Sequence, residues 1–201
     1  MDFKNSETLK IVTRAFLGEC QDGAKYQYLA DMATTQKLSN LSTILKQLAT
    51  NEMAHAKVFY DYISTQCDGG VKMVDIKATY PMQSGSLEEM LEIKAKDEER
   101  QAEKIYQEFA KIAEKEGFED ISNKFLQIAK IEACHADVLM QLHYKLTNKT
   151  LYNSNIEELR KCLNCGHEEE LKKVWKKCPI CNMDQGYVKI NLKGSSSNIK
   201  L

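Results

Sequence analysis

Apolar residues recur every three or four positions over four stretches of the chain, roughly 5–36, 39–66, 87–116 and 119–147. That is the period of a helix with one buried face. In the third stretch Leu87, Met90, Leu91, Ile93 and Lys94 lead on to Ile105, Phe109, Ile112 and Ala113. Ser86 followed by Glu89 predicts a capping box at its start. "EKEGFED", with Gly117, predicts a short break, so the third and fourth helices should lie antiparallel. "KLSNLS" plays the same part between the first two. The join between the second and third is longer. "CDGGVKMVDIKATYPMQSG", residues 67–85, has two glycines, an apolar alternation and Tyr80-Pro81, and reads as a crossover along the bundle. After "LTNKTLYNSN" the helical period fades. Residues 157–193 read as a small module with short strands, ended by a mobile tail, "KGSSSNIKL".

The pattern predicts an all-α four-helix bundle with one long crossover, the ferritin-like arrangement, over residues 1–150. A small β-rich module follows over 151–201. Lys and Arg number 28 against 29 Asp and Glu, a formal net charge of −1. Nothing therefore draws the chain broadly to nucleic acid or to an anionic membrane. "MDFKNSETLK" has no apolar core of signal-peptide length, and no run approaches the roughly 18 apolar residues of a membrane span. A soluble cytoplasmic protein is expected. The seven cysteines do not suit a stapled secreted scaffold; they suit a reducing compartment with four clustered thiolates on a metal.

The chain has four histidines, and two of them repeat one pattern: Glu52-x-x-His55 in "NEMAHAK" and Glu132-x-x-His135 in "IEACHAD". Three positions apart on a helix, a carboxylate and an imidazole project from one face about one turn apart. A lone pair of this kind signifies little, since most such residues are solvated. Here each pair has a partner. Glu19 stands 33 residues before Glu52, and Glu98 stands 34 before Glu132. Each half of the chain is then helix, Glu, helix, Glu-x-x-His, the donor set of a di-iron carboxylate bundle. Carboxylates can bridge two hard cations while an imidazole caps each.

Cys162-x-x-Cys165 in "KCLNCGH" and Cys178-Pro-Ile-Cys181 in "KCPIC" form two knuckles of a four-thiolate site. Tetrahedral sulfur suits zinc, which makes a structural ribbon, or iron, which makes a one-electron carrier. Spacing does not choose between them.

With these motifs the chain resembles the rubrerythrin family from about residue 5 to 190. The likeness rests on Glu19 in "GECQDGAKYQYLA", on "NEMAHAK", "VDIKATYP", "YQEFAKIAEKEGFEDI" and "IAKIEACHA", and the cysteine module resembles rubredoxin. The resemblance implies that Glu52 and Glu132 bridge two irons. Glu19 and His55 would serve one iron, Glu98 and His135 the other, with Tyr26 and Tyr106 hydrogen-bonding those ligands. It implies reduction of hydrogen peroxide to water under oxidative stress. Electrons would pass from an NAD(P)H-dependent rubredoxin reductase or similar donor, through one iron on the four cysteines. It also implies a head-to-tail homodimer, bringing one subunit's rubredoxin-like module near the other's di-iron site.

One position departs from the family pattern. Rubrerythrins carry a second glutamate on the third helix, one turn after the first. It is an extra ligand in the oxidised state, and the iron moves between it and the helix-two histidine on reduction. Alignment on "EFAKIAEKEGF" puts Gln101 there, a neutral amide poorly suited to ferric iron. Glu99 and Glu103 fall on other helix faces. His55 is then expected to stay bound in both oxidation states, with peroxide reduction slowed or preference moved towards oxygen. Two further readings stay open: ferritin-type oxidation of ferrous iron, favoured by Gln101, and a redox sensor bearing a zinc ribbon. Among the other residues, Cys20 and Cys134 are expected to fill small core spaces and Cys67 to be exposed. His143 and His167 are expected to be ordinary surface or packed side chains, and Trp175 and Tyr187 to pack the small module.

Overall fold

The computed structural model describes residues 2–67 and 73–193. Its helices are α1 (Glu7–Thr35), α2 (Ser39–Thr65), α3 (Leu87–Arg100), α4 (Tyr106–Lys115) and α5 (Glu119–Thr147). The two crossover glycines and the expected tail beyond Lys193 lie outside the described residues.

Local chemistry sets the helix ends. The Ser6 side chain accepts from the Leu9 N–H at the start of α1, and Ser86 and Glu89 form the expected capping box at α3. No side chain caps α2 or α5, whose first turns follow Leu38 and Phe118. They follow tight reversals instead. The Leu38 N–H reaches the Ala33 carbonyl at 2.9 Å and the Phe118 N–H reaches Ala113 at 2.8 Å, across Lys37 (φ 60°) and Gly117 (φ 89°). Gly117 suits that left-handed position, whereas Lys37 occupies it at a cost of about 1 kcal/mol.

The third helical stretch is not one regular helix. Between α3 and α4, Gln101–Ile105 winds as a π-helix, with the Tyr106 N–H bonded to the Gln101 carbonyl. The Gln107 side chain donates to the Ala102 carbonyl at 3.0 Å, satisfying a group in the widened turn. Such a turn accommodates one extra residue without breaking the helix.

Among the described residues, two apolar cores fill the bundle. One gathers Leu29, Leu41, Leu45, Leu87, Leu91 and Leu142; the other gathers Val12, Phe59, Phe109, Ile121 and Phe125. Burying each such side chain stabilises the fold by roughly 1.5–3 kcal/mol, which offsets a costly layer between them. Along α1, Glu19 falls between Ala15 of the second core and Tyr26 of the first, and Glu52, Glu98 and Glu132 fall between the same two cores on their own helices. The crossover is fastened to α1: the Tyr80 hydroxyl donates to the Arg14 carbonyl at 3.0 Å, and Lys25 Nζ to the Pro81 carbonyl at 2.6 Å. Cys67, expected to be exposed, is 1% exposed within the second core.

In the module, β1 (Asn153–Lys161) pairs antiparallel with β2 (Glu168–Lys173), with a bulge between Asn153 and Glu158. Strand structure thus begins ahead of the expected residue 157. The module docks on the α1–α2 turn. Ile190 joins the first core and its N–H donates to Asn40 Oδ1 at 2.7 Å. A Cβ on Gly186 would lie 2.0 Å from the Lys37 carbonyl oxygen, so that approach admits glycine alone. Val174, Val188, Cys162 and Cys178 are buried in the module, as is the Arg160 side chain of β1. Tyr187, expected there, is 38% exposed, while half-buried Trp175 lies against the His167 ring. No helix among the described residues is long and apolar enough to cross a membrane.

Candidate metal centres

The polar layer is a cluster of four carboxylates and two imidazoles, all under 8% exposed, with His55 the most open at 7%. Donor atoms of Glu19, Glu52, His55 and Glu132 lie within 4.8 Å of one another, and so do those of Glu52, Glu98, Glu132 and His135. Glu52 and Glu132 belong to both groups. Their oxygens divide: Glu52 Oε2 is 3.2 Å from His55 Nδ1 and its Oε1 is 2.8 Å from His135 Nδ1. Glu132 Oε1 is 3.0 Å from His55 Nδ1 and its Oε2 is 3.1 Å from His135 Nδ1. The two rings sit 5.9 Å apart, 21° from parallel. Tyrosines cross the layer: the Tyr106 hydroxyl donates to Glu19 Oε1, and the Tyr26 hydroxyl to Glu98 Oε1. Every donor predicted from the sequence is brought into this layer.

The electrostatics suit a pair of cations. Glu98 Oε2 is buried with no hydrogen-bond partner among the described residues, and the buried Glu52 Oε1 and Glu132 Oε1 face imidazole nitrogens of His135 and His55. Burial and the neighbouring Glu132 push Glu19 well above the usual carboxylate range, and burial does the same to Glu98 although Lys94 opposes it. Burial also disfavours charge on Glu52, but His135 and His55 hold it below the usual range. Both imidazoles must in turn take a proton. Burial opposes this, yet Glu132, Glu19 and Glu52 push His55 up to about 12, and Glu132 and Glu52 push His135 to about 10. Without metal, protons neutralise the cluster. Two cations would replace those protons, and the mixed carboxylate and imidazole set suits divalent transition metals.

Three neighbours of the cluster carried no motif in the sequence. Lys94, placed by spacing among core positions, is buried with its ammonium 2.7 Å from both Asp22 and Glu98. Burial works against that charge, but Glu98 and Asp22 raise the lysine above its ordinary value. Asp22 also accepts from Gln101 Nε2 at 2.7 Å. Asn51 Nδ2 is 3.4 Å from His135 Nε2, the ring nitrogen turned away from the cluster. Glu99 and Glu103 are exposed, as their helix faces predict. Cys134, expected to fill core space, is exposed in a shallow surface hollow with Ala95, Ala102, Ala133 and Ala136; Cys20 is half-buried. His143 Nδ1 donates to the Glu88 carbonyl at 2.8 Å.

The second centre is local. Cys162 Sγ is 3.7 Å from Cys181 Sγ, Cys165 Sγ is 3.6 Å from Cys178 Sγ, and all four lie within 4.8 Å of one another. Each knuckle closes on its own backbone. Cys162 N–H meets the His167 carbonyl at 2.8 Å and Gly166 N–H meets Cys162 at 2.8 Å; Cys178 N–H meets Met183 at 2.8 Å and Asn182 N–H meets Cys178 at 3.0 Å. The residue after each second cysteine, Gly166 (φ 79°) or Asn182 (φ 59°), is left-handed, where Gly and Asn are tolerated best. The Met183 amide draws the Cys181 thiol down to about 6. The His167 amide draws on Cys165 too, but partial desolvation and the neighbouring thiols push it to about 12. Four thiolates therefore need a cation between them.

Fold and centres together define a class, the ferritin-like di-metal bundles that carry a rubredoxin-like site of their own. Sequence likeness narrows this. The family model for rubrerythrin matches residues 10–96 and 89–170, so the chain belongs to the rubrerythrin family. It is 31% identical over 189 residues to a rubrerythrin of Clostridium perfringens, covering 93% of this chain and 95% of that one. It is 33% identical over 185 residues to a rubrerythrin of Porphyromonas gingivalis, covering 92% and 90%. Partially reduced nigerythrin shares the fold with a TM-score of 0.61 at 21% identity, over 95% of this chain and 94% of that one. A Desulfovibrio desulfuricans bacterioferritin shares it with a TM-score of 0.62 at 19% identity, over 71% and 81%. The family binds two irons in the carboxylate cluster and one on the four cysteines, and both donor groups here fit that set.

Proposed function

We propose that this chain is a non-haem di-iron peroxidase that reduces hydrogen peroxide to water in protection against oxidative stress, with electrons entering at the cysteine site. The observation that carries this reading is the division of the Glu52 and Glu132 oxygens between His55 and His135, in a chain that also gathers four thiolates. Glu52 and Glu132, common to both donor groups, would be shared by the two irons; Glu19 and His55 would hold one, Glu98 and His135 the other, and Cys162, Cys165, Cys178 and Cys181 the third. The irons, when bound, supply the electron pair that breaks the O–O bond, and peroxide with two protons leaves as two waters.

The chain's own groups set up that step. Burial, then Glu19, keeps the Tyr106 phenol protonated, and burial, then Glu98, does so for Tyr26. Each proton stays on its Oη and fixes one carboxylate oxygen, leaving the other for metal. Phe59, Phe109 and Phe125 close one side of the layer to water. A cavity of about 60 Å³ under the crossover, lined in part by Gly18, Asp22, Tyr80, Gln101 and Tyr106, has room for a peroxide and is the proposed way in.

Geometry also favours transfer between chains. The module meets the bundle at Lys37, and Glu52 lies thirteen residues beyond Ser39, about 20 Å along α2. A head-to-tail homodimer would set one module beside its partner's carboxylates. The proposed donor is an NAD(P)H-dependent rubredoxin reductase or similar protein of a reducing cytoplasm. With such a reductase, peroxide should drive NADH oxidation that Cys178→Ser abolishes; NADH oxidation indifferent to that substitution contradicts the reading.

Gln101 favours a second reading, ferritin-type oxidation of ferrous iron. Ferric uptake well beyond the resident irons, at a rate indifferent to Cys178→Ser, would support it. Zinc at the cysteines of protein isolated from cells would instead favour a redox sensor.

A further inference from the structure

The two halves of the carboxylate centre are built alike except around Glu98. In each, a tyrosine from the other half donates to Oε1 of the outer glutamate. Four residues before Glu19 stands Ala15, but four before Glu98 stands Lys94. Lys94 is 2% exposed, with Nζ 2.7 Å from Glu98 Oε1 and 2.7 Å from Asp22 Oδ1. It also lies 5.1 Å from the centroid of the Tyr26 ring. Asp22, 5% exposed, is itself held by Gln101 Nε2 at 2.7 Å. An ammonium this deep is retained where carboxylates meet it. Glu98 Oε1 therefore faces both a hydroxyl and an ammonium, while the equally buried Oε2 has no hydrogen-bond partner among the described residues.

We propose that Lys94, anchored by Asp22, is a positioning residue that reserves Glu98 Oε1, leaves Oε2 for the metal, and sets a fixed positive charge beside the His135 half of the centre. This rests on the reading of Glu98 as an iron ligand. A carboxylate able to chelate through both oxygens is then held to one. A cation next to an iron makes the loss of an electron harder, because the oxidised ion carries the greater positive charge. The iron served by Glu98 and His135 is thus the more oxidising of the two, and the one that electrons reach first. Asp22, 2.7 Å from the same ammonium, offsets part of this charge, and Gln101, being neutral, adds no further negative charge. Two irons with matched ligands are made unlike by the buried lysine and the aspartate that holds it.

The test is a mediated redox titration of the iron-loaded full-length protein, read by EPR for the carboxylate centre. The visible band of the cysteine iron serves as an internal reference. Lys94→Met keeps an unbranched apolar stem and removes the charge. Asp22→Asn keeps an acceptor for Gln101 and removes the opposing charge. Lys94→Met is expected to lower the midpoint potential of the di-iron couple and leave the cysteine iron where it was, while Asp22→Asn does not lower it. Mössbauer spectra of Lys94→Met should show one altered iron of the pair. An unchanged or raised di-iron potential in Lys94→Met, or the same lowering in both variants as mere loss of packing would give, overturns the proposal. A wild-type protein with no di-iron couple overturns the reading of the centre, and this proposal with it.

Discussion

The α1–α2 half of the bundle and the α3–α5 half present the same donors to the same layer, yet they are not copies. Glu19 to Tyr26 is seven residues and Glu98 to Tyr106 is eight; the glutamate intervals of 33 and 34 differ by the same one. The extra residue is wound into the π-helix Gln101–Ile105. Tyr106 can then reach Glu19 as Tyr26 reaches Glu98. The site constrains where side chains arrive, and the backbone absorbs the difference in length. The second contrast is charge. Asp22 and Gln101 stand three residues after Glu19 and Glu98, at matching positions, and bond to each other. One half therefore has an acid where the other has an amide, and a buried lysine answers that acid.

The largest effect should come from removing what the halves share. Glu52→Ala and Glu132→Ala each take an oxygen from both histidines' sides. Either should lose iron from both positions and cut peroxide turnover by at least about 100-fold, since even outer-shell changes cost 10–100-fold. Iron per chain measures it, and a variant that keeps one tightly bound iron would show the halves to be independent.

The tyrosines should separate the halves. In the metal-free protein, Tyr106→Phe strips Glu19 Oε1 of its hydroxyl donor and should cost about 2–3 kcal/mol. Tyr26→Phe leaves Glu98 Oε1 with Lys94 and should cost about 1 kcal/mol. Urea unfolding compares them; equal losses would mean that Lys94 does not support Glu98.

Smaller still is Gln101→Glu, which restores the family's carboxylate but sets it against Asp22, where the amide now donates at 2.7 Å. The metal-free variant should lose about 1–2 kcal/mol through like-charge contact, and adding Asp22→Asn should recover most of it. No recovery would mean that the two positions are not coupled.

The last prediction concerns pH. Metal-free, His55 and His135 keep protons up to about 12 and about 10, against about 6.5 in an unfolded chain. The stability they contribute is complete below about pH 6.5 and is lost as pH rises through those folded values. The raised carboxyls of Glu19 and Glu98 act in the same direction, their share complete below the ordinary carboxylate value and lost as pH rises. Metal displaces these protons, so its affinity climbs with pH. Between about pH 6 and pH 9 the melting temperature of metal-free protein should fall while that of loaded protein holds. Parallel curves would contradict the proton-for-metal exchange.

Donor clustering was legible because it repeats. One Glu-x-x-His is noise, but two with partnered glutamates imply a shared layer, and two Cys-x-x-Cys knuckles imply a local cage. The π-helix left a single trace, the one-residue mismatch between halves, which helical periodicity averages away. Lys94 fitted the apolar spacing of its helix, and its role depends on Asp22, a partner on another helix that no local window contains. Cys134 is expected from its sequence neighbours to fill core space, but its side of α5 opens onto small alanines at the surface. Cys67 shows the converse: it follows a helix end at the start of an irregular crossover, yet packs into the second core.

The coupling of the two centres is tested most directly by one anaerobic stopped-flow trace. Fully reduced, iron-loaded protein is mixed with excess hydrogen peroxide and followed at the visible band of the ferric cysteine site. Electrons that enter at Cys162, Cys165, Cys178 and Cys181 and leave through the carboxylate centre predict that this band appears as peroxide disappears. A silent cysteine site, with oxidation confined to the carboxylate centre, would contradict it.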